Sequence, residues 1–233
     1  LKIFDLHVHT FFSKDSVNTP ECILKVARIK GLSGFAVTDH DTTEGIGAFG
    51  NVKELIVVPG VEISTSFGHL LGLGIFEHPP RLVELREAVD FIHERGGIAV
   101  AAHPFSGLRM GMGKVLNEGF GIDGVEVFNA SNWFGSNRRA ALLSGFARTG
   151  GSDAHFPWEV GNGYTYGGNL NLADNWEDVL KAIKKGDTNG GGKLSPLSRR
   201  LMGRIGQKIG LYCHQRQKSI CGGHGMRAEP SGC

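Results

Sequence analysis

The chain has little in it that would staple or anchor a fold. Four cysteines occur in 233 residues, Cys22, Cys213, Cys221 and Cys233. Cys22 stands alone in a predicted helix and the others crowd the final stretch, which is no disulfide framework; a reducing, cytoplasmic location is expected. No run approaches the roughly 18 apolar residues of a membrane span, and no charged-then-apolar leader precedes the first strand. Net charge is only +2, too small by itself to imply a nucleic acid or a membrane as partner. No internal repeat is evident, and nothing in the sequence speaks to the oligomeric state.

What is present reads as one globular α/β unit. Hydrophobic residues make up 40% and charged ones 21%, ordinary proportions for a packed domain of this length. Glycine is abundant at 36 residues, which suits tight strand–helix turns or a loop-rich site. Residues 2–9 (KIFDLHVH) alternate strictly, predicting a strand with Phe4, Leu6 and Val8 on one face and Asp5, His7 and His9 on the other. A helix is expected over 19–30, with Thr19 as cap, Pro20 in the first turn and Gly31 as stop. Further strands are expected at 34–41, at 55–65 (broken at Pro59-Gly60) and at 69–75, the last two forming a hairpin-like step. A helix over 80–95 precedes strands at 97–104, 124–130 and 147–155; helices are expected near 136–147 and 175–185. Seven strands with mostly helical crossovers point to a parallel barrel or an open parallel sheet.

The character changes after TNGGGK (188–193). Residues 193–218 contain seven Lys/Arg and no acid. This segment reads as a basic amphipathic helix and residues 221–233 as a loose tail, so the expected division is a domain at 1–187 and a Gly-rich linker with tail at 188–233. The basic segment could attract short RNA or single-stranded DNA through phosphate charge. A solvated helix, or one packed on the foot of the domain, is the plainer reading.

Residues able to hold a metal recur at strand ends: His7, His9 and Asp15, then His40, Glu62, His103, Asp153 and His155. In parallel α/β architectures that rim is where sites are built. The i, i+2 spacing occurs twice, in His7/His9 and Asp153/His155, and on a strand each pair points to one side. A lone HxH is weak, and a lone AHP or SDAH weaker. Eight such groups on separate strands are different, because they are hard to keep buried without a cation. Mixed imidazole and carboxylate donors suit Zn, Mn or Fe better than Ca or Mg alone. Clustered divalent ions bring the pKa of a bridging water toward neutrality and neutralise a phosphate, which favours in-line attack on phosphorus.

The stretches DLHVHT…D, TDHDTTEG, PGVEIS, AAHP and GSDAH, in this order, resemble the PHP (polymerase and histidinol phosphatase) family, in particular its small stand-alone phosphoesterases. The likeness covers about residues 3–165. It implies a distorted (β/α)7, TIM-like barrel holding two or three divalent metal ions at the C-terminal ends of its strands, and a metal-dependent phosphoesterase. By motif, His7, His9, Glu62 and Asp153 would form a first metal site. Glu62 would bridge to a second ion also held by His103, and Asp15, His40 and His155 would form a third. Glu62, His103 and His155 are the expected catalytic residues, acting through a metal-bridging hydroxide.

One position departs from the family pattern. Phe76, in GLGIFEH, stands where another histidine is expected near the end of the fourth strand. His69 or His78 would have to substitute, with His69 read as substrate-facing or supporting rather than as a direct ligand. Asp5 could orient a ligand imidazole. Substrate contacts are expected from Arg109 in the loop FSGLRMGMGK, from Asn129 and from His69. Expected substrates are a phosphorylated metabolite, a nucleotide or the phosphate end of a short oligonucleotide. The rivals are a 3'-5' or 5'-3' exonuclease, a C–N bond hydrolase, and a non-catalytic metal-stabilised module.

Overall fold

Strand β1 (Ile3–Val8) organises the molecule, because from Phe4 to Val8 every residue is buried. The computed structural model describes residues 1–50, 52–80, 83–106, 112–133 and 135–196. Arg109, most of the basic segment and the three late cysteines lie outside the described residues. β1 pairs in parallel with β2 (Gly34–Val37), and β2 with β3 (Ile56–Val58). On its other side β1 pairs antiparallel with β9 (Gly163–Tyr166), which pairs antiparallel with β10 (Asn189–Gly192). A second sheet runs in the order β4 (Gly60–Thr65), β5 (Gly68–Leu73), β6 (Ile98–Ala101), β7 (Gly124–Asn129) and β8 (Ala147–Gly151).

The expected single (β/α)7 barrel is therefore corrected to a mixed α/β fold with two five-stranded sheets. The physical reason is direction. The β4–β5 hairpin, turning at Thr65↔Gly68, reverses the chain, so β5 runs antiparallel to both β4 and β6. Isolated bridges, Val8↔Ala154 and His40↔Glu62, link the two sheets at one end. Those bridges fall where the expected donor residues lie.

Phe4 and Leu6 pack between the sheets with Leu71, Val100 and residues of α4 (Trp176–Lys184), including Val179 and Ile183. Val8 packs elsewhere, with Ile23 and Ala27 of α1 (Pro20–Ile29). A register shift between Asp5 and Val8 separates the two sets, so the strict alternation expected for this strand is interrupted. Burial of these side chains is the main stabilising term, at about 1.5–3 kcal/mol for each large apolar group.

The helices follow their punctuation. Thr19 caps α1 by accepting from the Cys22 amide, Pro20 opens it, and Gly31 ends it with φ of 68°. α2 (Leu85–Glu94) starts later than expected and buries Leu85, Val89 and Ile92 along one face. α3 (Ser136–Ala140) is shorter than expected, the chain turning toward β8 at once. Asn189–Gly192, within the stretch expected to be a Gly-rich linker, form β10 at the edge of the first sheet. These glycines come within bare contact of neighbouring backbone: a Cβ at Gly190 would stand 2.3 Å from the Thr149 carbonyl oxygen.

Candidate metal centre

The bridges between the sheets draw strand ends together. His7 lies on β1 and His9 just beyond it; His40 follows β2, and Glu62 lies within β4. His69 lies on β5, His103 follows β6, and Asp153 and His155 follow β8. Among the described residues, the non-glycine residues with positive φ are Asp41 (51°), His103 (31°) and Asp153 (55°). Each belongs to the stretch just past a strand that carries a donor. Left-handed backbone is costly for such residues and persists where the surroundings over-determine it. Here it turns the chain sharply at the site.

Glu62 is the hub. Its Oε2 lies 3.2 Å from His7 Nε2, 3.1 Å from His9 Nε2 and 3.2 Å from His40 Nδ1. Its Oε1 lies 2.9 Å from His69 Nδ1 and 3.0 Å from His103 Nε2. Asp153 Oδ1 is 3.6 Å from His7 Nε2 and 3.4 Å from His9 Nε2, and those two ring nitrogens are 3.1 Å apart. Farther out, Asp15 Oδ2 sits 3.2 Å from His155 Nε2 and 3.5 Å from His40 Nε2. Three sets have donor atoms mutually within 4.8 Å: His7, His9, Glu62 and Asp153; His9, His40 and His155; and His40, Glu62 and His69.

These spacings fit a cation. Donors bound at about 2.1 Å around a tetrahedral or octahedral ion stand about 3.0–3.4 Å from one another. The inner set spans 3.1–3.6 Å. Glu62 Oε2 is buried with no hydrogen-bond partner among the described residues although three imidazole nitrogens face it. Such an oxygen is costly to bury unless a positive charge joins the group.

The protonation pattern shows how strongly these groups interact. Burial pushes His7 down, yet the carboxylates of Glu62, Asp153 and Glu126 outweigh it and hold the imidazole well above its usual range. Burial likewise opposes charge on Glu62, but His40, His7 and His69 keep it well below the usual carboxylate range. Asp153 is lowered in the same way, chiefly by His7. Asp15 is lowered by its bonds to His155 and His40, which overcome its burial. His155, despite burial, is pushed up to about 10 by Asp15. Negative groups here want a positive partner, supplied by protons or by metal.

Two family models match the chain, the PHP domain over residues 5–113 and the PHP-associated region over 136–188. An uncharacterized protein of Methanocaldococcus jannaschii is 37% identical over 151 residues, covering 59% of this chain and 88% of that protein. The chain belongs to the PHP family. Other relatives match over shorter stretches. The phosphoribosyl 1,2-cyclic phosphate 1,2-diphosphodiesterase of Eggerthella lenta is 40% identical over 92 residues, 36% of this chain and 35% of that one. The 5'-3' exoribonuclease Rnm of Salmonella typhimurium is 40% identical over 107 residues, 40% of this chain and 35% of its own. The fold matches a two-domain protein of Bacteroides vulgatus described as containing a predicted PHP-like metal-dependent phosphoesterase, with a TM-score of 0.63 at 17% identity, over 88% of this chain and 69% of that one.

Within this PHP site several expectations need revision. His69 touches the hub carboxylate directly, whereas His78 bonds its neighbour's carbonyl, Pro79 O, at 3.1 Å. Asn129 is the residue beside the donors from which a substrate contact is expected. It is fully buried, its Nδ2 donates to Glu126 Oε2 at 2.8 Å and reaches Asp153 Oδ2 at 3.4 Å, and its Oδ1 accepts from the Ser131 amide. Asp5 holds no imidazole; it accepts from the amides of His7, Ser152 and Gly161 and from Ser152 Oγ, tying β1 to the loops after β8. Burial pushes its carboxyl up to about 6 against those bonds.

Two supporting groups carry no motif signal. Ser13 Oγ lies 3.1 Å from His9 Nδ1 and accepts from the His40 amide at 2.8 Å. Glu126 Oε1 lies 3.1 Å from His7 Nδ1. Its sequence context, GVEVFN, shows one acid in an otherwise apolar strand, which is the signal that could have found it.

Proposed function

We propose that this protein is a metal-dependent phosphoesterase, with His7, His9, Glu62 and Asp153 holding one divalent ion. On this reading Glu62, His69 and His103 would hold a second ion, and Asp15, His40 and His155 a third. The observation that carries the reading is the inner set of four donors at the spacing of a coordination shell, centred on a buried carboxylate oxygen without a hydrogen-bond partner. The donor types favour Zn, Mn or Fe. When bound, such ions neutralise phosphate charge and supply hydroxide near neutral pH. The chain's part is to hold the donors: Glu62 spans two donor groups, Ser13 steadies the His9 ring, and Asn129 steadies Asp153. His155, beside Asp15, keeps a proton at the rim until a cation displaces it.

The names of the relatives favour a phosphodiester or nucleotide substrate over other classes, since they act on a cyclic phosphodiester and on RNA. Among the described residues no helix is long and apolar enough to cross a membrane. The test is hydrolysis of an aryl phosphate, a nucleotide panel and a 5'-phosphorylated oligoribonucleotide with Mn²⁺, before and after chelation. Activity is expected to vanish with chelator and return with Mn²⁺; equal rates in both states would refute the reading. Turnover of amides or lactones instead would move the protein to C–N or C–O hydrolysis.

A further inference from the structure

Glu126 is a buried carboxylate that the site described above does not use as a donor. It sits on β7, and its two oxygens serve different partners. Oε2 accepts from the His103 backbone amide at 2.8 Å and from Asn129 Nδ2 at 2.8 Å. Both partners are obligate donors, so Oε2 is an acceptor without ambiguity. Oε1 is left facing His7 Nδ1 at 3.1 Å. The other nitrogen of that ring, Nε2, points at Glu62, His9 and Asp153. Space for this approach depends on Gly151, where a Cβ would fall 2.4 Å from His7 Cβ and 2.9 Å from Glu126 Oε1.

The geometry points to Glu126 as the positioning residue that fixes the His7 proton on Nδ1, leaving the Nε2 lone pair free for metal. An imidazole can offer Nε2 to a cation only if its remaining proton is on Nδ1, and a carboxylate oxygen against Nδ1 favours that tautomer. The same carboxylate holds the amide of His103, whose left-handed backbone turns its ring toward Glu62 Oε1. One side chain thus orients donors on both oxygens of the hub. The inference rests on the reading of His7 as a metal donor.

The informative substitution is Glu126→Gln. Its carbonyl oxygen must take the Oε2 position, where two N–H groups demand an acceptor, so its NH₂ faces His7 Nδ1. That ring nitrogen must then accept, the proton moves to Nε2, and the lone pair aimed at the donor cluster is lost. The experiment is a Zn²⁺ titration against a chromophoric chelator, with ¹⁵N-histidine spectra of the zinc-loaded full chain and His7 assigned by its absence in His7→Gln. Wild type is expected to show a hydrogen-bonded Nδ1–H on His7. Glu126→Gln is expected to bind zinc about 10- to 100-fold more weakly and to lose that resonance. Unchanged affinity and an unchanged His7 signal would overturn the inference. If the variant fails to fold, the wild-type spectrum decides, since a His7 proton on Nε2 in the zinc-loaded protein is incompatible with it. A wild-type chain that binds no zinc would sink the metal reading instead, a result distinguishable from either.

Discussion

The inner and outer donor groups differ in how they are held. His7, His9 and Glu62 have side chains fully shielded from solvent, whereas Asp15 and His40 are 35% and 24% exposed. The inner donors come from β1, β4 and the turn after β8, and are braced by Glu126 and Asn129. The outer ones hang on the loops after β1, β2 and β8, where Asp15 faces both His40 and His155, and Ser13 and Glu159 hold the amides of those two histidines. Buried, braced donors lose little freedom on binding a cation, so the inner group should retain its ion and the outer group should exchange it. The sharpest attempt to break this contrast is the double substitution His7→Ala, His9→Ala. We expect a loss of phosphoesterase activity well beyond the about 10- to 100-fold typical of removing a supporting partner, with no recovery at millimolar Mn²⁺. Recovery by added metal would place the essential ion elsewhere.

Asp15→Asn should behave differently. It removes the acidic member of the outer group and leaves the inner donors in place. An apparent metal requirement raised about tenfold is expected, with most activity restored at high Mn²⁺ and read from activity against metal concentration. If Asp15→Asn were as damaging and as irreversible as the His7, His9 pair, the contrast between the groups would be false.

Protons supply a third probe. Without metal, His155 has a pKa raised from 6.5 to about 10 by Asp15. Its contribution to stability is therefore fully present below about pH 6.5 and is lost as pH rises through 10. On the proposed reading a cation would take the proton's place beside Asp15. The melting temperature of the metal-free protein should fall between pH 7 and 10, and the gain on adding Mn²⁺ should grow over the same range. Metal binding at pH 8 should release protons, measurable by calorimetry in buffers of different ionisation enthalpy. No buffer dependence would mean that His155 holds no displaceable proton.

Four of the candidate donors, His7, His9, Asp153 and His155, were legible from their i, i+2 spacing at strand ends, a pattern that survives whatever order the strands adopt. Strand order was not legible, since nothing in an apolar run says which neighbour it will meet, and the expected barrel proved to be two sheets. His69 shows what a family pattern leaves unread. A histidine was sought near the end of that strand, where Phe76 lies, 60% exposed. In the β4–β5 hairpin Glu62 pairs with Leu71 and Ser64 with His69, and from that place the His69 ring reaches Glu62 Oε1 at 2.9 Å. β10 was hidden for a different reason. Its run of glycines has no side chains to alternate, and it is recognisable only from the backbone it must approach.

The smallest expected effect is the one that joins the two groups. Ser13 Oγ touches His9 Nδ1 of the inner set and receives the amide of His40 from the outer one. If the inner group is rigid because its strands hold it, losing one bond to the His9 ring should matter little there. His40, held on a loop, should feel the loss of its amide partner more. Ser13→Ala removes two hydrogen bonds, with a cost to stability of about 1 kcal/mol each. The mutation should weaken binding of the more weakly held ion by about tenfold while leaving the tightly held one within about twofold, the two being resolved by stepwise chelation. The opposite ranking would show that the His9 ring depends on its serine, not on its strand, for its aim.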